Sequence, residues 1–157
     1  MIPRYSRPEM ARLWTDEAKY ASWVQVELLA CEAQAELGLI SPSELAEIRT
    51  GRVPTPQRVA QLELERDHEI LAFLAAYTET IDSPAARWVH HGMTSYDLVD
   101  TALGHTLVQA CDLVLTAGLR LRNALAQRAF EHWETVCVAR THGIHAEPTT
   151  FGQKLAV

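Results

Sequence analysis

The sequence predicts an all-α fold, a small N-terminal helical domain followed by the start of a long central helical bundle. Three observations carry that expectation. Helix-capping signals recur along the chain, one apolar period of three and four runs unbroken from about Tyr96 to about His132, and only Thr135–Ala139 reads as a short extended segment. The expected division is 1–93 for the first domain and 94–157 for the beginning of the bundle.

Thr15 stands before Asp16 and Glu17, an N-cap followed by acids that suit the positive end of a helix. That helix runs through Ala18, Ala21, Val24, Leu28, Cys31 and Ala35, and Gly38 falls where a left-handed C-terminal residue belongs. Ser41-Pro42-Ser43-Glu44 is a capping box with proline at the first helical position, and its helix is expected to end by Gly51. Thr55-Pro56 opens a third helix, expected to continue to about Thr80. Val59, Leu62, Ile70, Phe73 and Tyr77 form its core stripe, and His68 falls mid-helix with Leu64, Leu71 and Ala75 on a second stripe. Ser83-Pro84 opens a short helix bearing Trp88 and Val89. In the long helix, Val99, Leu103, Leu107, Ala110, Val114, Ala117, Leu121 and Ala124 step by three or four. At 1.5 Å per residue it is roughly 55 Å long, more than this chain alone can cover, so it needs a bundle or other subunits. Thr150 to Val157 reads as the start of another helix without a C-cap, as expected of a fragment.

Composition bounds the function. The 157 residues are 48% hydrophobic and 22% charged, an ordinary globular balance. No run of 18 or more consecutive apolar residues occurs, which predicts no membrane span. The basic N-terminus has no apolar run behind it and is not read as a secretory signal. A net charge of −6 without a basic cluster argues against nucleic acid, whose binding rests on phosphate neutralisation. Cys31, Cys111 and Cys137 are odd in number and far apart, which predicts reduced core thiols in a cytoplasmic protein.

Candidate chemistry concentrates in Ala139-Arg-Thr-His-Gly-Ile-His-Ala-Glu-Pro-Thr-Thr-Phe-Gly152. Two imidazoles, His142 and His145, stand in a polar, Gly- and Pro-broken segment with almost no aliphatic content. Imidazole exchanges protons near neutral pH, so this segment reads as chemistry rather than packing. A metal site built on His142, His145 and Glu147 is the chemical alternative, although no H-E-x-x-H helix is present. Gly92-Met-Thr-Ser-Tyr-Asp97 opens the long helix. Thr94 or Ser95 there is a plain N-cap or, with free helical N–H groups beside two hydroxyls, part of a carboxylate site. His90 and His91 directly precede it, and neighbours at a helix end do not both face one site. Arg4, Tyr5, Ser6 and Arg7 are a solvated tail or a phosphate clamp.

Four pieces in order resemble the adenylosuccinate lyase family of the fumarase/aspartase superfamily: Arg4-Tyr5-Ser6, Arg66-Asp67-His68-Glu69, Trp88 to Ala102, and Arg140 to Gly152. The resemblance covers essentially the whole chain and the first third of the family's length. It implies elimination of fumarate from adenylosuccinate to give AMP, and from the succinylo-carboxamide ribotide of purine biosynthesis. On this sequence it makes His142 the general acid and His68 a second catalytic histidine. His90, Thr94, Ser95 and Thr141 become substrate contacts, and Arg4 and Tyr5 contacts to the phosphate and nucleotide. It implies no cofactor and no metal, a carbon base downstream of residue 157, and a cytoplasmic homotetramer with active sites shared between subunits. Glu69 departs from a common Asp, His91 from a common aromatic and Ala139 from a common Gly. A related fumarate-releasing lyase and a non-catalytic helical assembly protein are the competing readings.

Overall fold

The computed structural model describes residues 2–157. The helices are α1 (Pro8–Arg12), α2 (Asp16–Glu36), α3 (Pro42–Ile48), α4 (Pro56–Arg66), α5 (Glu69–Thr78), α6 (Ser95–Glu131) and α7 (Phe151–Ala156). The strands β1 (Val136–Thr141) and β2 (Ile144–Thr150) form one antiparallel hairpin between α6 and α7, and 3-10 turns occupy Pro3–Tyr5 and Pro84–Trp88. The fold is all-α with this one small sheet. The chain divides into two compact units, Met1–Ala110 and Cys111–Val157, and α6 begins in the first and continues in the second.

The capping residues do what their chemistry predicts. Thr15 and Thr55 each accept the N–H three residues on, and Ser41 and Glu44 close a reciprocal capping box. Gly38 takes φ +77° just after α2. The first unit's core is aromatic. Tyr20 stacks on Phe73 at 5.8 Å between ring centroids, Trp23 meets Phe73 edge-on at 5.1 Å, and Phe73 stacks on Tyr77 at 6.1 Å. Val59, Leu62, Ile70, Ile48, Ile40 and Leu98 complete it, so the predicted Val59-to-Tyr77 stripe is the buried one.

The expected single helix from Thr55 to about Thr80 is two. It breaks at Asp67, which is left-handed (φ +50°), and at His68, which is extended (φ −156°). Asp67 ends α4 with its N–H on the Glu63 carbonyl. His68 then opens α5 as its N-cap, with Nδ1 accepting the Leu71 N–H at 3.4 Å. His68 is therefore an exposed cap, not a mid-helix residue. Asp tolerates the left-handed region because its short side chain competes with the backbone for hydrogen bonds. The apolar stripe continues across the break, so periodicity alone did not reveal it.

In the second unit, the Phe151 N–H donates to the Thr135 carbonyl at 2.8 Å and the Gly152 N–H to the His132 carbonyl at 2.9 Å. These bonds return the start of α7 to the end of α6. Gly152 is buried, and a Cβ there would collide with the Ala129 carbonyl oxygen and the Trp133 backbone, so the approach admits only glycine. An apolar groove of about 650 Å³ runs between α6 and α7, lined by Leu121, Leu125, Phe130, Trp133 and Leu155 among others.

Of α6 only Leu98, Ala102 and Ala110 are buried; Leu103, Leu107, Val114 and Leu121 of the predicted stripe are exposed. One 18-residue window of α6 is apolar enough to cross a membrane by length and composition alone, although the sequence has no unbroken apolar run of that length. The thiols differ from the expected core set: Cys31 is buried, Cys137 half-buried and Cys111 exposed, all free.

Glu44 ties α3 to the 3-10 turn before the 88–95 segment. It accepts from the Ser41 hydroxyl at 2.7 Å and from the Trp88 indole N–H at 3.1 Å. The Ser41 hydroxyl first, then the Trp88 indole and the Ser41 N–H, pull its carboxyl down to about 2 from 4.5. A depressed carboxyl stabilises the fold above its unfolded value and loses that contribution as pH falls through its folded value. The thermal-midpoint advantage of the parent over Glu44→Gln should be constant above about 4.5 and gone near 2. A difference independent of pH would refute the linkage.

Candidate active site

Within the first unit, the site is built on the segment from Trp88 to Asp97. The 3-10 turn Pro84–Trp88 delivers the chain to His90, which is left-handed (φ +64°), and Gly92 follows at φ +77°. The His91 N–H bonds the Trp88 carbonyl at 3.1 Å and the Met93 N–H the His90 carbonyl at 3.2 Å. Two tight turns therefore precede α6. Asp97 reaches back to accept the Thr94 N–H at 2.7 Å, half of a capping box. Among the described residues, neither the Thr94 nor the Ser95 hydroxyl makes a hydrogen bond within the chain. Both sit at the positive end of a 37-residue helix, free to meet an anion.

His90 faces a carboxylate that the sequence reading missed. Glu27 of α2 is fully buried, accepts the His90 backbone N–H at 2.8 Å, and lies 2.7 Å from His90 Nδ1. Neighbouring groups register that buried position. The Cys31 thiol is pushed up to about 11, by burial first and then by the charges of Glu27 and Glu32. The Tyr77 hydroxyl is pushed up to about 12, again by burial first, then by Cys31 and Glu27.

His68 and Glu69 sit at the α4–α5 break. Glu69 takes Lys19 Nζ of α2 at 2.6 Å, and Asp16 takes the same ammonium at 3.1 Å. Burial works against the charged Lys19, but the hydrogen bonds to Glu69 and Asp16 outweigh it and hold its pKa above the ordinary value. Lys19 also lies over the rings of Tyr20 and Trp23, at 4.7 and 5.6 Å from their centroids. The glutamate beside His68 is thus an inter-helix tie. No hydrogen bond joins His68 to the 88–97 segment.

In the second unit, His142 and Gly143 form the two-residue loop of the β1–β2 hairpin. Thr141 pairs with Ile144, and both loop residues have positive φ, +52° and +74°. That is a type I′ turn, whose twist matches antiparallel strands and which prefers Asn-Gly or Asp-Gly. A histidine in the first position is not what hairpin stability alone selects. Thr141, His142, His145 and Glu147 are all exposed, and among the described residues no three His, Cys, Asp or Glu side chains converge to hold a metal ion. Arg4 lies over the ring of its neighbour Tyr5 at 4.9 Å, and both are exposed.

Among the described residues, three non-glycine residues have positive φ: Asp67, His90 and His142. Left-handed backbone costs an L-residue about 1–2 kcal/mol. All three are, or adjoin, the histidines singled out from sequence, and strain of this kind gathers at functional sites.

The sequence profile of a family described as "Lyase" matches residues 4–157. The chain belongs to that lyase family. It is 46% identical over 157 residues to an adenylosuccinate lyase of Bacillus subtilis (strain 168), and 47% identical over 156 residues to one of Synechocystis sp. (strain ATCC 27184 / PCC 6803 / Kazusa). These alignments cover 100% and 99% of this chain but 36% of each relative, whose N-terminal portion it matches. Among solved structures, a fumarate lyase from Mesorhizobium sp. BNC1 superposes with a TM-score of 0.86 at 30% identity, over 94% of this chain and 35% of that one. The β-carboxy-cis,cis-muconate cycloisomerase from Acinetobacter calcoaceticus sp. ADP1 gives 0.87 at 26% identity, over 96% and 37%.

The two units carry one candidate feature each. One is an anion-receptive helix start behind an anchored histidine, and the other a titratable histidine at a hairpin tip. Glu27 was legible in principle. Tyr20, Trp23, Val24, Glu27 and Cys31 are the buried face of α2, and a carboxylate at that helical spacing needs an explanation. The tie from Lys19 to Glu69 gave no such signal, because the two are distant in sequence.

Asp67→Gly should leave stability unchanged or raise it by no more than about 1 kcal/mol, since glycine meets the left-handed conformation without a Cβ but is freer when unfolded. Urea unfolding measures it. A larger loss would show that the Asp67 side chain itself holds the break.

Proposed function

We propose that this chain is the N-terminal part of an enzyme that eliminates fumarate from adenylosuccinate to give AMP, and from the succinylo-carboxamide ribotide in purine biosynthesis. The observation that carries the reading is His142, held left-handed at the tip of a type I′ turn where asparagine would serve the hairpin better. Near-half identity to two adenylosuccinate lyases over the whole chain supports that substrate class.

β-Elimination needs a proton on the departing nitrogen, removal of a proton from carbon, and stabilisation of a dicarboxylate whose charge grows in the transition state. His142 is assigned as the acid, and Thr141 beside it as a substrate contact. Thr94 and Ser95, at the positive end of α6, are assigned to the succinyl carboxylates. His68 and His90 line the substrate, and Arg4 with Tyr5 takes the phosphate and nucleotide. The carbon base is placed downstream of residue 157. The exposed Leu103, Leu107, Val114 and Leu121 call for a cover, and the likeness to adenylosuccinate lyases supports giving it to the other helices of a bundle in a cytoplasmic homotetramer. On that architecture, 1–93 is the N-terminal domain and 94–157 the start of the bundle. A related fumarate-releasing lyase is the second reading, favoured by the superposition on the Mesorhizobium fumarate lyase.

Fumarate release from a panel of succinyl compounds decides the substrate, and turnover of a non-nucleotide in preference to adenylosuccinate would favour the second reading. In the complete protein, His142→Asn should keep the hairpin and lower turnover ~10²–10⁴-fold, the scale of a lost general acid. Near-normal turnover would remove His142 from the mechanism. Arg4→Ala should raise KM for the nucleotide more than it lowers kcat, because the phosphate is remote from the bond that breaks. Equal effects on phosphorylated and dephosphorylated substrates would exclude Arg4 from the phosphate.

A further inference from the structure

Three residues of α2 hold the segment that carries His90. Glu27, Cys31 and Gln34 are spaced by four and three, so they share one face of the helix. Each bonds the segment at a different point. The Cys31 thiol donates to the Trp88 carbonyl at 3.8 Å, Glu27 takes both the backbone N–H and Nδ1 of His90, and the Gln34 amide donates to the His91 carbonyl at 2.7 Å. The ladder brackets the left-handed residue on both sides and grips its ring in the middle. One carboxylate therefore fixes the backbone and the side chain of the same histidine.

The chemistry of the middle rung is directional. An ionised carboxylate only accepts, so the His90 nitrogen facing Glu27 must carry a hydrogen. With Nδ1 protonated, the neutral ring has its lone pair on Nε2. The Glu27 side chain is fully buried while that of His90 is 17% exposed, so the carboxylate end is sealed and the ring retains access to solvent. A backbone shift at His90 would break two bonds to Glu27, which ties ring orientation to the left-handed turn.

We propose that Glu27 is a positioning residue that locks His90 in its Nδ1–H tautomer and presents Nε2 to the ligand as a hydrogen-bond acceptor while the ring is neutral. The role in turnover rests on the lyase reading above; the tautomer does not. A nucleotide N–H or a ribose hydroxyl has the donor chemistry that such an Nε2 accepts.

The test uses the complete protein labelled with [15N]histidine in alkaline buffer, with the His90 signals identified by their loss in His90→Gln. The parent should show a protonated Nδ1 and an unprotonated Nε2. Glu27→Gln, which keeps the shape but can donate an amide hydrogen to Nδ1, should shift the ring toward Nε2–H. An Nε2–H tautomer in the parent, or one unchanged in a folded Glu27→Gln, overturns the proposal. Should Glu27→Gln fail to fold, the parent signals decide alone. In fumarate release, Glu27→Gln should cost roughly 10–100-fold in kcat/KM, as supporting carboxylates behind histidines do. In the His90→Gln background it should cost nothing further, because its effect passes through that ring. Full additivity would mean that Glu27 acts on the fold and not through His90. A parent that releases no fumarate from any succinyl compound would refute the lyase reading and leave the nitrogen signals to judge Glu27.

Discussion

A carboxylate without solvent exposure sets the terms for the first unit. Glu27 sits on the buried face of α2 among aromatic and aliphatic side chains, where an unpartnered charge is not tolerated. Removing a partner from such a buried charge costs about 3–5 kcal/mol. The chain meets the requirement by folding the 88–91 segment back on α2, with the backbone and ring of His90 as donors. The entry into α6 is placed by that return. The positions of the Thr94 and Ser95 hydroxyls follow from where His90 must be.

The same demand accounts for an unfavourable backbone. His90 is left-handed because its N–H and its ring have to meet one carboxylate, and Gly92 completes the reversal without a side chain. Asp67 and His142 carry comparable strain with other compensations, a helix cap in one case and a paired hairpin in the other. In each place the local conformation is less stable than a glycine or asparagine would make it, and in each place the residue is, or adjoins, a histidine assigned to the site.

Much of the architecture was legible because it rests on local chemistry. Thr15, Ser41 and Thr55 announce helices through hydroxyls that satisfy free N–H groups, and the three-four period of α6 needs no tertiary knowledge. The break at Asp67-His68 was hidden, since the apolar spacing from Val59 to Tyr77 passes through it undisturbed. The partners of β1 were also hidden: Thr135–Ala139 looked extended, but the middle of the strand beginning at Ile144 is Ala146-Glu147-Pro148, residues depleted in strands, and it is held by pairing rather than propensity. Of the candidate site, the histidines and the helix start could be singled out from residue type and setting. The Glu27–His90 and Lys19–Glu69 pairs could not, because they join residues far apart in sequence.

The core cluster of the first unit ends, in chain order, at Ala102. A nascent chain that has emerged through Ala110 therefore already holds every buried residue of that cluster, and domains generally fold as units from the N-terminus during synthesis. The remainder of α6 then leaves the ribosome with Val114, Leu115, Leu119 and Leu121 uncovered. The stretch open to nonspecific association is therefore the middle of one helix rather than an unfolded domain.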